Sequence, residues 1–588
     1  MLLMKRFYTA FAAALFAAAA VAQPSARISR SAGPQSASQN CPIRQQNVKL
    51  PQGAQKTNLR LPDFTKPSAF AARVKNTAID QPLISGQPAG TLHSNYYGSE
   101  TGFSVFWGQV FSTNVDGAAE NFVVGNNGEV YLQNAMATLR QNNWIKGEKL
   151  EGDTIAFTFP QKYYVQEETD DDGKPTGNKE YFYLWRMLIN DDGNDLVPDE
   201  TSQTIKYVMR NDSIIRVDDA FNGGVILGLA TDDGSWVGYG DYLSKWGKLN
   251  DQAVTLPATA KPETFQVDYW NENGNEDSRI INVAIDGNDI YLGSLTDSNP
   301  DAWVKGTISG DKAVFAGKTY MGVDKSLGYH TYFSPIGSEK VYSDIYEDYI
   351  DSLYFEKEIA LDYDAEAKTV SVDNGMFAVN VGKNAVYTQA LFDGPQMKPW
   401  KEVAGAPKDP ELIEFSPYDE DMGYGVMQVY MEKNSTDDVL LNPDKIYYNI
   451  YFDDELFTFY PDEYVALTEE ITDVPLKFTD YYDIVADGAM RGIYFFMDGI
   501  STVGIQELYK DGDKVYKSNL VRYAVDDEGG FEPIETGIAG IATDAKSVRS
   551  VSYTDISGRR VLNPTRGLYI KTVKMADGSQ KSMKYVRK

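Results

Sequence analysis

Alternation of apolar and polar positions dominates the chain from about residue 90 onward. Short runs rich in Tyr, Phe, Val and Ile recur between clusters of Gly, Asn and Asp, among them EVYLQ, DTIAFTF, KEYFYLW, FQVDYW, RIINVAI and KIYYNIYF. Such runs are typical of β-strands that present one face to a core. The intervening DDGK, DDGN, IDGND and KDGDK segments are typical of tight turns. Because no segment after the N-terminal region has a long apolar stripe at helical spacing, the pattern predicts an all-β protein.

Two parts of the chain share a series of anchors in the same order. GEVYLQNAMATLRQNNWIKGEKLEGDTIAF, from residue 128, matches NDIYLGSLTDSNPDAWVKGTISGDKAVF, from residue 288. In this alignment Tyr131 corresponds to Tyr291, and Trp144 corresponds to Trp303. Copies of about 160 residues are too long for propeller blades or solenoid repeats. We therefore predict two related antiparallel β-domains with both tryptophans in their cores.

Breaks in the strand pattern suggest where the domains end. The Pro-containing linkers LPATAKPE and AGAPKDPE follow the two copies, and none of the eight tryptophans lies beyond residue 400. Turn signals every eight to twelve residues in the next part indicate an antiparallel β-sandwich. The predicted organisation is a signal peptide (1–22), a flexible basic leader (23–90), β-domain repeat 1 (91–255), β-domain repeat 2 (256–406), a β-sandwich-like domain (407–536) and a small C-terminal β tail (537–588).

The first 22 residues have the three parts of a secretory signal peptide. Lys5 and Arg6 precede an apolar run from residue 7 to residue 19, and the sequence AVA at residues 20–22 is a typical cleavage site. No later stretch is apolar for long enough to cross a bilayer as a helix, so we expect no integral membrane segment in the mature protein. Cys41 is the only cysteine, which excludes an intramolecular disulfide.

Charge is distributed very unevenly along the chain. Residues 23–90 and residues 551–588 each carry nine Lys or Arg against two Asp, which gives each flank a charge of +7. Removing these flanks and the +2 of the signal peptide from the net charge of −29 leaves −45 on residues 91–550. A body this acidic repels phosphate backbones, so the composition argues against nucleic-acid partners.

The basic C-terminal tail contains three strand-like runs in a recognisable order. SGRRV, GLYI and a basic final strand follow one another to the end of the chain. This order resembles the C-terminal sorting domain of cargo of the type IX secretion system of Bacteroidota, with Gly558, Arg559, Gly567, Leu568, Tyr569 and Ile570 at the matching positions. The body contains a repeated W-[IV]-K-G and GD pattern, and NPDKIYYNIYFDDELFTF followed by VGIQELY. Through these segments it also resembles secreted Bacteroidales proteins of unknown function. The resemblance implies that the export machinery binds the tail and that the protein reaches the cell surface through the periplasm.

Few residues are available for the common catalytic sites. His93 and His330 are the only histidines, so a zinc site with several His or Cys ligands cannot be assembled, and neither histidine lies beside a nucleophile motif. We expect both to be structural polar residues. A glycan-degrading enzyme that uses an unrecognised carboxylate pair is the alternative function, because glycoside hydrolysis needs just two acids.

Two acidic turn segments are candidate calcium sites. ETDDDGKPTGN (Glu168 to Asn178) and NDDGNDLVPDE (Asn190 to Glu200) each gather hard oxygen ligands around a glycine, although neither has the spacing of an EF-hand. Plain hairpin turns are the favoured interpretation, because Asp-Gly turns form without a metal. We therefore expect no cofactor, with calcium as the one candidate.

The segment SWVGYGDYLSKW concentrates four aromatic residues, Trp236, Tyr239, Tyr242 and Trp246, within eleven positions. Strand alternation would place Trp236, Tyr242 and Trp246 on one face and Tyr239 on the other, so some rings should be exposed. Exposed aromatic rings can stack on sugars or mark a domain contact. The sequence thus favours a secreted or cell-surface binding or adhesion protein, with a glycan or another surface ligand as its partner.

Overall fold

The structure is a computed structural model that describes residues 81–106, 109–169, 175–190, 195–217, 225–343, 348–383, 387–420, 422–480, 483–534, 548–555, 560–561, 567–575 and 580–587. These residues form β-strands and one short 3-10 helix, which confirms the prediction of an all-β protein. The chain divides into two compact units between Lys401 and Glu402.

The first twelve strands are β1 (Thr91–Phe106), β2 (Gln109–Val124), β3 (Glu129–Gln133), β4 (Trp144–Lys149), β5 (Thr154–Thr158), β6 (Gln161–Thr169), β7 (Pro175–Ile189), β8 (Leu196–Pro198), β9 (Thr204–Arg210), β10 (Ser213–Arg216), β11 (Ile226–Ala230) and β12 (Trp236–Gly247). Antiparallel pairing joins eight of them in the closed order β1-β2-β3-β4-β5-β9-β10-β12-β1, which makes a barrel. Strand β11 continues the sheet from β12 to β7, and β7 also pairs with β6 and β8.

The next twelve strands are β13 (Lys261–Trp270), β14 (Glu276–Asp286), β15 (Asp289–Gly293), β16 (Trp303–Ser309), β17 (Lys312–Ala316), β18 (Thr319–Asp324), β19 (Tyr329–Ser343), β20 (Asp348–Phe355), β21 (Glu358–Asp364), β22 (Thr369–Ser371), β23 (Met376–Val381) and β24 (Tyr387–Pro399). Their closed order is β13-β14-β15-β16-β17-β21-β22-β24-β13, and β23 links β24 to β19, which pairs with β18 and β20. Among the described strands, this second barrel has the same pairing order as the first.

The period of two along the strands determines which residues fill each barrel. In β3, burial alternates so that Val130 and Leu132 point into the core of the first barrel while their neighbours are partly exposed. The turns form where glycine accepts a positive φ: Gly287 in the IDGND segment has a φ of 63° and Gly512 in KDGDK a φ of 60°. Local sequence therefore accounts for both the strands and their connections.

Short segments before β1 and β13 occupy matching places. Ile84 forms an isolated bridge with Trp144, and Val254 forms one with Trp303. Trp144 is buried, as the sequence predicts, whereas Trp303 is only half-buried and packs beside Val254 and Tyr291. Ile84 and Val254 therefore lie beside the corresponding strands β4 and β16.

Before the tail, the second compact unit contains two sheets and a 3-10 helix at Pro443–Lys445. Its strands are β25 (Glu411–Asp419), β26 (Tyr424–Tyr430), β27 (Ile446–Phe452), β28 (Glu455–Leu456), β29 (Val474–Pro475), β30 (Ile484–Asp487), β31 (Met490–Phe495), β32 (Thr502–Asp511), β33 (Lys514–Lys517), β34 (Val521–Val525) and β35 (Phe531–Pro533). The order β25-β26-β31-β30 forms one sheet, and β28-β27-β32-β34-β35 forms the other, with β29 paired to β27 and β33 to β32. Apolar residues of both sheets, including Met427 and Ile505, belong to one core.

The tail forms a separate small sheet. Its strands are β36 (Val548–Asp555), β37 (Arg560–Val561), β38 (Gly567–Met575) and β39 (Gln580–Arg587), paired antiparallel in the order β37-β36-β38-β39. The strand that begins with GLYI is therefore internal to this sheet.

Candidate functional site

The four aromatic residues that the sequence singles out all lie on β12, but they divide between its two faces differently from the prediction. Tyr239 and Trp246 are buried in the core of the first barrel. Trp236 and Tyr242 are half-buried on the outer face of the sheet. The prediction that Trp246 shares a face with Trp236 and Tyr242 is therefore wrong.

A β-bulge in β12 explains this difference. Opposite β1, Leu243 pairs with Thr101 while Asp241 pairs with Gly102, so the register shifts and Tyr242 is one extra residue in β12. An extra residue reverses the alternation of faces on its two sides. Strict period-two counting through the bulge consequently assigns residues to the wrong face.

Tyr181, Trp236 and Tyr242 form what we call the outer aromatic patch, on the sheet made by β1, β12, β11 and β7. All three are partly exposed and pack against buried residues of this face, which include Phe103 and Trp185. The ring centroid of Phe103 lies 6.1 Å from that of Trp236 and 6.3 Å from that of Tyr242. The apolar layer beneath the patch holds the rings in place while part of each remains accessible to solvent.

Further contacts orient individual rings of the patch. The indole Nε1 of Trp236 donates a hydrogen bond of 2.7 Å to the main-chain oxygen of Tyr239. The ammonium group of Lys162 lies 4.8 Å from the ring centroid of Tyr181, within the range of a cation–π interaction. These contacts already restrict the rings in the free protein. The rings therefore lose less conformational entropy when a ligand binds.

A cluster of charged residues lies inside the first barrel beside Trp246. The indole Nε1 of Trp246 donates a 2.6 Å hydrogen bond to Oε1 of Glu100. A guanidinium nitrogen of Arg140 donates to Oε1 of Glu120 and lies 3.8 Å from Oε2 of Glu100. Glu100 is 2% exposed and Glu120 is fully buried. Burial raises the pKa of both carboxyl groups, that of Glu120 to about 8, because the nearby Arg140 only partly offsets the cost of desolvation.

Asp241 forms hydrogen bonds with the loop between β3 and β4 at this end of the barrel. Its carboxylate accepts hydrogen bonds from the main-chain nitrogen of Ala137 and, at 2.8 Å, from the hydroxyl of Thr138. Burial and the neighbouring charge of Glu100 raise the pKa of Asp241 to about 7. The hydroxyl of Tyr163 adds a 2.9 Å hydrogen bond to the main-chain oxygen of Leu139. The loop between β3 and β4 is therefore fixed from several sides.

None of the sites predicted from the sequence includes Glu100, Glu120, Arg140 or Asp241. Their carboxylates converge beside a tryptophan, but Glu100, Glu120 and Asp241 are all buried, so a polysaccharide in solution cannot reach them in this conformation. One sequence signal could have found the cluster. Glu120 lies in a strand whose neighbouring inward position, Phe122, is apolar, which marks a charge directed toward the core.

Both histidines make structural contacts. His330 is fully buried, its Nδ1 lies 2.9 Å from the hydroxyl of Tyr320, and its Nε2 lies 3.3 Å from the main-chain oxygen of Tyr96. Burial lowers the pKa of His330. The ring of His93 stacks on Phe122 with the centroids 4.4 Å apart. Both histidines therefore contribute to the packing of the structure.

The two candidate calcium segments are described only in part, because residues 170–174 and 191–194 lie outside the described residues. Within the described ranges, no group of three or more His, Cys, Asp or Glu side chains is arranged to hold a metal ion. Asp199 accepts hydrogen bonds from Arg186 at 2.8 Å and from the hydroxyl of Thr201 at 2.6 Å. Burial opposes ionisation of Asp199, but these hydrogen bonds keep its pKa at about 2.

The residues of the predicted sorting signal are also described only in part. Gly558 and Arg559 lie outside the described residues. The backbone of Gly567 to Ile570 begins β38 and pairs with β39 on one side, while Tyr569 and Ile570 also pair with β36 on the other.

The chain matches no known protein-family model, no curated protein and no solved structure. In the part of the chain that the structure describes, no helix combines the length and apolar character needed to cross a membrane.

Proposed function

We propose that this protein is an exported, cell-surface binding protein whose first barrel contacts carbohydrate through the outer aromatic patch. The observation that carries the proposal is the partial exposure of Tyr181, Trp236 and Tyr242 on one sheet face above a buried apolar layer. Aromatic rings combine a flat apolar face with a polar group, which suits them to the apolar faces and hydroxyl groups of sugars. Burial of the converging carboxylates favours binding over hydrolysis.

Export is supported by features at the two ends of the chain. The N-terminal 22 residues have the composition of a signal peptide, and the tail resembles a type IX sorting domain. In this proposal the export machinery binds the tail, and the acidic body faces the cell exterior. The charge of −45 on residues 91–550 favours ligands other than nucleic acids.

Binding of the purified mature protein to an array of neutral and charged glycans tests the proposal. We expect Trp236→Ala and Tyr242→Ala each to weaken the binding of a retained glycan by about fivefold, because an aromatic contact is worth about 1 kcal/mol. Release of reducing ends, measured on the same glycans, tests the alternative of hydrolysis.

Tyr342 and Tyr349 provide a matched control. They are 54% and 57% exposed on β19 and β20, with their ring centroids 5.5 Å apart. Replacing both with alanine removes exposed aromatic surface without touching the patch, and binding should be unchanged. Absence of binding to every glycan, or equal loss in the patch and control variants, would contradict the proposed site.

A further inference from the structure

The two barrels contact each other through main-chain hydrogen bonds. The nitrogen of Ala119 in β2 donates a 2.8 Å hydrogen bond to the oxygen of Gly328, and Ala118 pairs with Tyr329 at the start of β19. Strand β2 of the first barrel therefore pairs with the start of β19, which belongs to the sheet attached to the second barrel.

Glycine permits a close approach at the same place. A Cβ atom on Gly117 would lie 2.5 Å from the Cα atom of Gly382, and one on Gly382 would lie 2.3 Å from the main-chain oxygen of Asp116. Both glycines also have a positive φ, of 90° and 76°. A larger residue at either position would force the two backbones apart.

Arg140 joins the buried charges of the first barrel to this contact. Its guanidinium group donates to Glu120, one residue from Ala119, and its central carbon lies 5.6 Å from the ring centroid of Tyr329. The side chain of Arg140 is only 15% exposed. It thus connects two buried carboxylates of one barrel with an aromatic ring of the other.

The second barrel shows that a barrel of this kind can form without such a cluster. Leu132 pairs with Phe122, and the corresponding Leu292 pairs with Val283. Two residues before Phe122 is Glu120, and two residues before Val283 is Ile281, a fully buried core residue. In the second barrel an apolar side chain, that of Ile281, fills the position that corresponds to Glu120. Closing a barrel of this kind therefore does not require an acid there, so the presence of Glu120 needs another explanation.

We propose that Arg140, held by Glu120 and Glu100, is a lock that fixes the second barrel onto the first through Tyr329. The charged cluster then serves the coupling of the barrels, and the closure of the first barrel does not depend on it. This role of Arg140 does not depend on which ligand the protein binds.

Hydrogen exchange of the full mature chain, followed by mass spectrometry, tests the lock. In Arg140→Met, amides of the segment around Ala119 should exchange on the order of tenfold to 100-fold faster, because loss of a buried charge partner makes local opening easier. Amides in β9, far along the strand order from β2, should keep their protection.

Arg186→Met is the matched control. The side chain of Arg186, on β7 of the sheet attached to the first barrel, is also 15% exposed and pairs with a buried carboxylate, Asp199. This variant should leave exchange around Ala119 unchanged. Equal acceleration in both variants, or acceleration spread over the whole first barrel in Arg140→Met, would overturn the proposal.

A variant in the other barrel covers the case in which Arg140→Met does not fold. Tyr329→Leu removes the ring under the guanidinium group and leaves Arg140, Glu120 and Glu100 in place. It should accelerate exchange around Ala119 while the protection of β9 is retained. Unchanged exchange around Ala119 in a folded Tyr329→Leu variant would also overturn the lock.

Discussion

The hydroxyl oxygen of Tyr97, in the first barrel, accepts a 2.6 Å hydrogen bond from the main-chain nitrogen of Lys383, in the second. The ring of Tyr97 also stacks on His330 with the centroids 5.5 Å apart. Nearby, the ammonium group of Lys383 pairs with Asp251 at 2.8 Å. Tyr97 thus contacts residues of the second barrel through both its ring and its hydroxyl group.

Removing this hydroxyl should weaken the first compact unit. Tyr97→Phe retains the stacking on His330 but leaves the main-chain N–H of Lys383 without this partner, which should lower the free energy of unfolding by about 1–3 kcal/mol. Urea denaturation followed by tryptophan fluorescence measures the change, because every tryptophan precedes residue 401 and reports on this unit. Tyr342→Phe, at an exposed position, is the control, and an equal effect there would refute the prediction.

The raised pKa of Glu120 predicts a loss of stability at alkaline pH. Its pKa is about 8 in the folded protein, against roughly 4.3 for an unperturbed glutamate, so the folded state holds its proton more tightly. This contribution to stability is fully present below about pH 4.3 and declines as the pH rises through 8, by at most about 1.4 kcal/mol per pH unit.

Glu120→Gln should therefore remove this part of the pH dependence. Relative to the wild type, the variant should gain stability between pH 5 and pH 9, measured by urea denaturation at several pH values. Glu148→Gln, at an exposed position of β4, is the control and should follow the wild-type curve. Parallel curves for Glu120→Gln and the wild type would contradict a raised pKa.

Glu507 provides a corresponding test in the second compact unit. It is fully buried on β32, and neither oxygen of its carboxyl group has a hydrogen-bond partner among the residues that the structure describes. Burial raises its pKa well above the ordinary value, although the positive charge of Arg491 acts in the opposite direction. Glu507 therefore contributes to the free energy of unfolding at acidic pH, and this contribution is lost as the pH rises.

Glu507→Gln should accordingly raise the melting temperature of this unit at pH 9 more than at pH 5, as measured by calorimetry. The unit lacks tryptophan, so heat absorption is the suitable probe. The exposed Glu414 supplies a control, because its replacement by glutamine changes the same charge without burial. A pH-independent effect of Glu507→Gln would count against the prediction.

The tail should direct export if its resemblance to a sorting domain reflects function. Residues 537–588 fused to a periplasmic reporter should carry the reporter to the cell exterior in a strain that has the type IX pathway. Deleting Gly567 to Ile570 should abolish this export, because these residues begin the internal strand β38 and their loss shifts its register. Fractionation of cells and medium provides the measurement.

A native type IX cargo in the same strain is the positive control for export. A shortened tail that lacks residues 580–588 tests whether the final strand, which pairs along β38, is also needed. Retention of the intact fusion in the periplasm, while the native cargo is exported normally, would leave the sorting role without support.

Local sequence was sufficient to predict the strands and turns. Alternating apolar residues and Asp-Gly turns act over a few neighbours, so segments such as EVYLQ and IDGND could be interpreted from their own composition. The anchors Trp144 and Trp303 could be aligned in the same way, and both begin corresponding strands. The closed order of the strands was beyond such an argument, because β12 returns to β1 across more than a hundred residues.

The sequence by itself therefore determined the all-β class of this protein, and tertiary structure decided which side chains meet. The bulge at Tyr242 depends on the register between β12 and β1, and it directs Trp246 inward and leaves Trp236 outside. Burial of Glu120 depends on Arg140, twenty residues away, which supplies a compensating charge. Contacts between residues distant in sequence set both outcomes, since the stability of a buried charge or a bulged strand depends on its partners.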